Sequence, residues 1–474
     1  MQEIYEMTAV EMVSKLRSKE LSATEAVTAH LKRIEEVNPE INAVVAVDIE
    51  RAMSTAKQFD EMIIQSGPVG PLHGLPMTHK DSHNTKGIRT TQGSPLFADH
   101  VPVKNDLVIQ RLQNAGAVST GKTNVPEFAA GSHTFNKVFG TTMNPYANAR
   151  SAGGSSGGVA AALASRIQPL GDGSDMGGSV RIPAAFCNVI GLRPSYGVIP
   201  MPSPQNPWQW LGRTGPMART IDDIALFMSA TAGPVSELPT VRSLKPWEFD
   251  RQIEPNLQGV RIGWSPDFGL GIPVERQVLE VLEAQLQVFE ELGAVVEESS
   301  IDFSEADLVF RNTRAMNFAE NLGDLVREYS TEIKQDVIWN VERGWELTSA
   351  DWIETTAASA RLQQHVRSFY ARYDLFLSPG AQVVPFDAAF RYPSTVAGEP
   401  MDDYLDWMRS ACVLSATSLP VLSMPAGFTP DGLPVGFQVA ADHYRDFELL
   451  GWAKAYEAHT GFARVAPTLS AIDG

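Results

Sequence analysis

The sequence predicts an α/β fold around a largely buried sheet, and three observations predict it. From Leu72 onward, short apolar runs alternate with helical stretches, and glycine- and proline-rich turns separate them. The chain has 474 residues, enough to bury a large core. Its composition, 43% hydrophobic and 20% charged, is that of an ordinary globular protein.

The elements follow in order. Thr8 with Glu11 and Ser22 with Glu25 fit the capping-box pattern ahead of amphipathic runs, so the chain opens on helices. Ser54-Thr55-Ala56-Lys57 matches a Ser-x-x-Lys motif, but within this helical region it reads as helix surface. "DLVIQRLQNAG" (Asp106 to Gly116) reads as a helix with a glycine stop, and "AVSTGKTN" as a strand entering a loop. "NPYANARSA" makes a poor strand. Residues 233–258, rich in proline and charge, read as a surface crossing, and Val260 to Trp264 as a strand. Val278, Val281, Leu282, Leu286 and Phe289 then share one helical face that stops at Gly293. Three helical segments fill 304–373, Tyr373 to Pro379 resumes the sheet, and Leu419 to Ala441 reads as two strands around a Pro-Asp-Gly turn.

Charge and termini exclude several classes. A net charge of −18 offers no basic footprint for nucleic acid. The N-terminus lacks the pattern of a signal peptide, and no apolar run reaches the roughly 18–20 residues that span a bilayer. The two cysteines, Cys187 and Cys412, have no partner at metal-ligand spacing. The expectation is a cytoplasmic protein with reduced thiols, no metal and no cofactor.

The chemistry lies in two glycine-serine clusters. "SAGGSSGG" (Ser151 to Gly158) has a linker's composition, yet it runs directly into the alanine-rich helix "VAAALAS". Glycine there fits backbone that must approach something too closely for a Cβ. After that helix, "GDGSDMGGSVRIPAAF" (Gly171 to Phe186) repeats the order of glycines, serine and helix start. Its bland reading is a tight turn with a capping serine. Its sharper reading is an anion-binding nest made by the N–H groups of Met176, Gly177, Gly178 and Ser179. In a hydrolase such a nest is an oxyanion hole with a hydroxyl nucleophile at its edge. Phosphate is the competing occupant, but no Gly-x-x-x-x-Gly-Lys-Ser/Thr pattern follows. A serine nucleophile needs a base, and no histidine lies near either cluster. Lys80, in "PLHGLPMTHKDSHN", follows a short apolar run, and desolvation lowers a lysine pKa toward neutrality.

Together "GLPMTHKD", "AGGSSGG" and "GSDMGGSVRIPAAF" resemble the amidase signature family in order and spacing. "GKTNVPEF", "GTTMNPY", "GLRPSYG", "GPMARTIDDIAL" and "LPVLSMPAG" extend the likeness over most of the chain, and 233–373 and 381–410 match weakly. The resemblance implies one large fold over 1–474, with a central mixed twisted sheet covered by helices on both faces. Its parts would be N-terminal helices (1–65), a catalytic core (66–232), a variable helical part (233–373) and C-terminal strands with a helix (374–474). It implies a Ser–cis-Ser–Lys triad, with Ser179 as nucleophile, Ser155 as proton relay and Lys80 as base. The Gly154–Ser155 peptide would be cis, Asp175 and Arg181 would brace the nest, and Ser156 would support Ser155. By position, Ala129, Gly131 and Ser132 would line the substrate site. The segment 201–213 reads either as a lid carrying Trp208 and Trp210 or as a packed surface loop. Tyr404 and Trp407 are further candidates.

With few charged groups expected around such a pocket, the reading favours a neutral, apolar or aryl amide or anilide, and the same acyl chemistry serves esters and carbamates. The family also includes the glutaminase component of glutamyl-tRNA amidotransferase, which works inside a complex, and this is the alternative. Two rivals from other classes are weaker. Gly153 to Gly157 satisfies Gly-x-Ser-x-Gly but lacks a good strand before it. His79 and His83 stand at i and i+4 without the glutamate of a zinc protease, and Pro76 argues against a helix there. Monomer and homodimer both remain open.

Overall fold

The computed structural model describes residues 3–203, 205–238 and 246–469. Helices α1 (Ala9–Ser18) and α2 (Ala23–Ile41) both start on complete capping boxes, at Thr8 with Glu11 and Ser22 with Glu25. Then come β1 (Val44–Val47), α3 (Ile49–Gln65), β2 (Pro76–Lys80), α4 (Leu107–Asn114) and β3 (Val118–Thr123). The three strands make a small sheet in the order β1-β3-β2, with β3 antiparallel to β1 and parallel to β2.

The main sheet follows in sequence. Its first half carries α5 (Gly157–Ala164), β4 (Leu170–Asp175), α6 (Arg181–Phe186), β5 (Ile190–Arg193), β6 (Arg213–Ala218) and α7 (Ile221–Thr231). The variable part supplies β7 (Arg261–Trp264), α8 (Arg276–Glu291), β8 (Val295–Glu298), α9 (Ala306–Tyr329), α10 (Gln335–Glu346) and α11 (Ser349–Tyr370). It closes with β9 (Leu375–Pro379), α12 (Arg409–Ala416), β10 (Val421–Phe428), β11 (Pro434–Ala441) and α13 (Asp446–Thr460). The eight strands lie in the order β8-β7-β9-β11-β10-β5-β6-β4. β8, β7 and β9 are mutually parallel and the other pairings antiparallel, so the sheet is mixed.

Alternation along the strands divides the interior in two, because successive side chains point to opposite faces. In β9, Leu375 and Leu377 enter one core while Phe376 enters the other. In β11, Val435, Phe437, Val439 and Ala441 face the first core and Ala440 the second. Residues of α1, α7, α8 and α13 cover the first face, and residues of α5, α6, α9, α11 and α12 cover the second. Every residue of β9 and β11 is buried, as strands covered on both sides require.

Two sequence expectations change. The poor strand "NPYANARSA" holds a real one, Ala147–Ser151, paired with Met143–Asn144 in a two-stranded ribbon. Its middle residues face solvent, which is why it lacks an apolar pattern. It ends at Ser151 outside the main sheet, so it does not supply the strand that a nucleophile elbow needs. The crossing at 233–258 falls partly outside the described residues, at 239–245, and contains a short helical turn, Pro246–Phe249. Ser54 and Lys57 are exposed on α3. Among the described residues, no helix is long and apolar enough to cross a membrane.

Candidate active site

Lys80 ends β2, a strand buried along its whole length. Its backbone N–H donates to Asp172 Oδ2 at 3.1 Å, and its Nζ lies 2.8 Å from Ser174 Oγ. Asp172 and Ser174 alternate on β4, so one face of that strand grips the lysine at both ends. The other hydroxyls around Nζ are Ser155 Oγ at 2.8 Å and Ser156 Oγ at 2.9 Å. Burial lowers the Lys80 pKa to about 7, against the opposing pull of Asp175 and Asp172. A neutral amine donates twice and accepts once. The Ser156 hydroxyl is directed at the Ser174 carbonyl at 3.4 Å, so Ser155 and Ser174, each at 2.8 Å, are the hydroxyls placed to donate to the lysine lone pair.

The first glycine cluster is close-packed backbone. Gly153 has φ +74°. A Cβ on Gly154 would stand 2.9 Å from His133 N, and one on Gly158 2.6 Å from Asn124 O and 2.8 Å from Ala43 O. The Gly154–Ser155 peptide is cis. Ser156 N–H donates to the Ser179 carbonyl at 3.0 Å, which ties the two clusters together. Ser155 and Ser179 line one cavity of about 640 Å³. No hydrogen bond joins their two hydroxyls among the described residues.

The second cluster is organised by one carboxylate. Asp175 accepts from Gly178 N–H at 2.9 Å and Val180 N–H at 3.1 Å. Arg181 grips it in a fork, Nε to Oδ2 and Nη2 to Oδ1, both at 3.0 Å. Arg193 Nη1 stands 3.5 Å from Oδ1 and donates to the Asp175 carbonyl at 2.5 Å. Burial works to raise this carboxyl, but Arg181 and Arg193 hold it well below the ordinary carboxylate range. One expectation is corrected by this arrangement: Gly178 N–H already has an acceptor, so the donors left to the nest are those of Met176, Gly177 and Ser179.

The expected substrate residues divide. Ala129 and Gly131 line the cavity, after a turn with positive φ at Phe128 and Ala129. Ser132 does not; its hydroxyl turns to Met408 Sδ at 3.3 Å, and Met408 forms the wall. The segment 201–213 lines the cavity through Met201, Pro202, Ser203, Gln205, Gln209, Gly212 and Arg213, with residue 204 outside the described set. Its tryptophans do not: Trp208 is 63% exposed on the outside and Trp210 packs against the second core. Tyr404 is buried behind the wall, where its hydroxyl accepts from Arg314 Nη2 and Asn340 Nδ2, both at 2.7 Å. Trp407 is buried in the second core.

The cavity also carries more charge than the sequence reading expected, since Asp106, Arg213, Glu237 and Arg314 line it. Ser174 was missed in the sequence, where Gly171 to Phe186 was read as a glycine-serine turn; a strand read there would have put Asp172 and Ser174 on one face. Arg314 gave no signal, because its helix matches no motif and only tertiary packing brings it to the wall. His79 and His83, dismissed as metal ligands, both direct Nδ1 to Asp172 at 2.7 Å. Cys187 is buried, and burial pushes its thiol well above the usual range.

Comparison with known proteins gives the family. Residues 25–450 match the family model described as Amidase. An acylamidase of Rhodococcus erythropolis is 34% identical over 481 aligned positions, covering 99% of both chains. The A-type chain of the glutamyl-tRNA(Gln) amidotransferase of Caldanaerobacter subterraneus subsp. tengcongensis is 32% identical, covering 96% of each chain. The crystal structure of a bacterial aryl acylamidase of the amidase signature family superposes with a TM-score of 0.89 at 27% identity, covering 98% of both chains. The chain belongs to the amidase signature family, enzymes that act on amide C–N bonds.

Proposed function

We propose that this chain hydrolyses small neutral amides and anilides through an acyl-enzyme on Ser179, and that the same acyl transfer serves esters and carbamates. The observation that carries the reading is Lys80 Nζ, buried with a pKa near 7 and 2.8 Å from the Ser155 hydroxyl. Neutral Lys80 takes the Ser155 proton as Ser155 takes that of Ser179, and Ser179 Oγ attacks the carbonyl carbon. The oxyanion forms against the N–H groups of Met176, Gly177 and Ser179, each such donor worth roughly 3–4 kcal/mol in the transition state. Collapse breaks the C–N bond, and the proton returns through Ser155 to the leaving nitrogen. Water then enters by the reverse relay and releases the acid.

The similarity to amidotransferase chains favours a second reading, a glutaminase that acts beside partner proteins. One panel tests both: an aryl anilide, an alkyl amide, glutamine, an ester and an aryl carbamate, with wild type, Ser179→Ala and Lys80→Ala. The expected outcome is release by wild type from the anilide and amide, lost in both variants. Wild-type rates in Ser179→Ala would remove Ser179 as nucleophile. Turnover of glutamine alone would favour the second reading.

A further inference from the structure

The N–H groups that the nest keeps free for an oxyanion have no hydrogen bonds of their own to hold them. Asp175 ends β4 and fixes the turn again at Gly178 N–H. Between these two anchors, the N–H groups of Met176 and Gly177 meet no acceptor among the described residues. Such donors stabilise a transition state only when they already point to where the charge develops. The backbone at Met176 and Gly177 must therefore be fixed by what packs behind it.

Helix α9 supplies that support. Phe310 is 1% exposed, and a Cβ placed on Gly177 would stand 2.8 Å from its Cζ, so the ring lies against the Gly177 backbone. Arg314, one turn later on the same face, directs Nη1 to Met176 Sδ at 3.3 Å. Its guanidinium is itself held. Nε donates to Asn340 Oδ1 at 3.1 Å, and Nη2 to the Tyr404 hydroxyl at 2.7 Å. Met408, just before α12, closes the other side, its Cε 3.2 Å from the same Gly177 Cβ position. The two α9 residues differ in one respect: Arg314 lines the cavity and Phe310 does not.

We infer that Phe310 and Arg314 are positioning residues, which hold the Met176–Gly177 backbone from behind and so aim its two N–H groups at the oxyanion. The inference rests on the acyl-enzyme reading above and deepens it. The helical stretch 233–373, weakest in its likeness to the family motifs, carries the back wall of the nest. Phe310 gives the cleaner variant, because Phe310→Leu leaves every side chain that lines the cavity unchanged.

The test measures anilide turnover in wild type, Phe310→Leu, Arg314→Met and Arg314→Lys. Phe376→Leu serves as the control, a buried aromatic of the second core that packs on Phe268, Phe303 and Phe369. Each variant is first checked for a cooperative thermal transition. In Phe310→Leu and Arg314→Met, kcat should fall by about 10- to 100-fold, somewhat less than deleting an oxyanion donor outright. KM should stay within about threefold, because the lost interaction belongs to the transition state. The acid limb of kcat/KM should not move, Arg314→Lys should lie between Arg314→Met and wild type, and Phe376→Leu should keep the wild-type kcat.

A matched pair of inhibitors reads the nest directly. An aryl trifluoromethyl ketone accepts Ser179 Oγ at its carbonyl carbon; the carbonyl π pair moves to oxygen as the oxyanion, and the serine proton passes through Ser155 to Lys80. The corresponding trifluoromethyl carbinol cannot form this adduct. Inhibition by the ketone should weaken in each α9 variant by the same factor as kcat/KM, with the carbinol unchanged. Unchanged kcat and ketone inhibition in folded Phe310→Leu and Arg314→Met would overturn the inference and leave the acyl-enzyme reading standing. So would an equal fall in Phe376→Leu, which would trace the loss to a loosened core, or a loss confined to KM. A ketone that inhibits wild type no better than the carbinol, together with wild-type rates in Ser179→Ala, would bring down both readings.

Discussion

Lys80 has three hydroxyls and no carboxylate within hydrogen-bond reach of its Nζ among the described residues, and that choice of partners sets its proton affinity. Carboxylates at contact distance would hold the ammonium form strongly, whereas accepting hydroxyls favour it only weakly and let burial dominate. With a pKa of about 7, the reactive neutral amine grows in as pH rises through 7 and is lost below it. The expected profile of kcat/KM is therefore an acid limb with its midpoint near 7, measurable on any turned-over anilide. Lys80→Met should lower kcat by about 10²–10⁴-fold, the usual contribution of a general base, and abolish that limb. Ser174 gives the sharper test because it touches the lysine without standing in the proposed relay. Its hydroxyl accepts from Nζ and so favours the ammonium form, and Ser174→Ala should move the acid limb to lower pH. The shift should be about half to one pH unit, the equivalent of a hydrogen bond worth roughly 1 kcal/mol. An unmoved limb with reduced kcat would mean that Ser174 only fills space.

At the level of elements, the second cluster is the junction of one strand end and one helix start. β4 delivers Asp172, Ser174 and Asp175, and the turn into α6 delivers the nest and Ser179. α6 has no side-chain cap of its own. Asp175 holds its entry by accepting from Gly178 and Val180 N–H while pairing with Arg181 in its first turn. Asp175→Asn keeps the shape but leaves Arg181 and Arg193 buried without a counter-charge, and should cost roughly 3–5 kcal/mol by denaturant unfolding. The sign with pH is fixed. Its folded pKa lies below the unfolded value, so its contribution is present above pH of about 4 and is lost as pH falls further. The wild-type advantage over Asp175→Asn should thus shrink on acidification; a constant difference would assign the effect to packing. Much of this junction was legible in sequence, because glycine, serine and helix-start signals are local and the two clusters name each other by repetition. The capping boxes at Thr8 and Ser22 and the strand at Leu375–Pro379 were legible for the same reason. The claim on Gly178 N–H was not, since only the folded turn shows which N–H faces Asp175. Nor were the inward residues of the 201–213 segment: aromatic content marked Trp208 and Trp210, while the path of a proline-rich loop put its smaller residues on the cavity.

Over the whole molecule, the buried carboxyls pull stability in opposite directions with pH. Asp172 and Asp175, paired with His79, His83, Arg181 and Arg193 around β4, favour the folded state when ionised. Asp223 and Glu457 are held high instead, at about 6 and about 7, chiefly by burial. Both join helices over the first core face: Asp223 accepts from Val10 N–H at the start of α1, and Glu457 on α13 accepts from Ile221 N–H at the start of α7. For Glu457 the folded pKa exceeds the unfolded one, so the native state binds more protons between about pH 4.5 and 7. Stability from this group is full below that window and is lost as pH rises through 7. Lys80 loses its proton over the same interval, so the proposed base gains its reactive form as the helical cover weakens. Glu457→Gln separates the two effects, because the amide oxygen can still accept from Ile221 N–H but carries no charge at any pH. The variant should melt about 1–3 °C above wild type at pH 8.5 and match it at pH 5, with the acid limb of kcat/KM unchanged. An equal gain at both pH values would trace the effect to the net charge of −18 and not to this carboxyl.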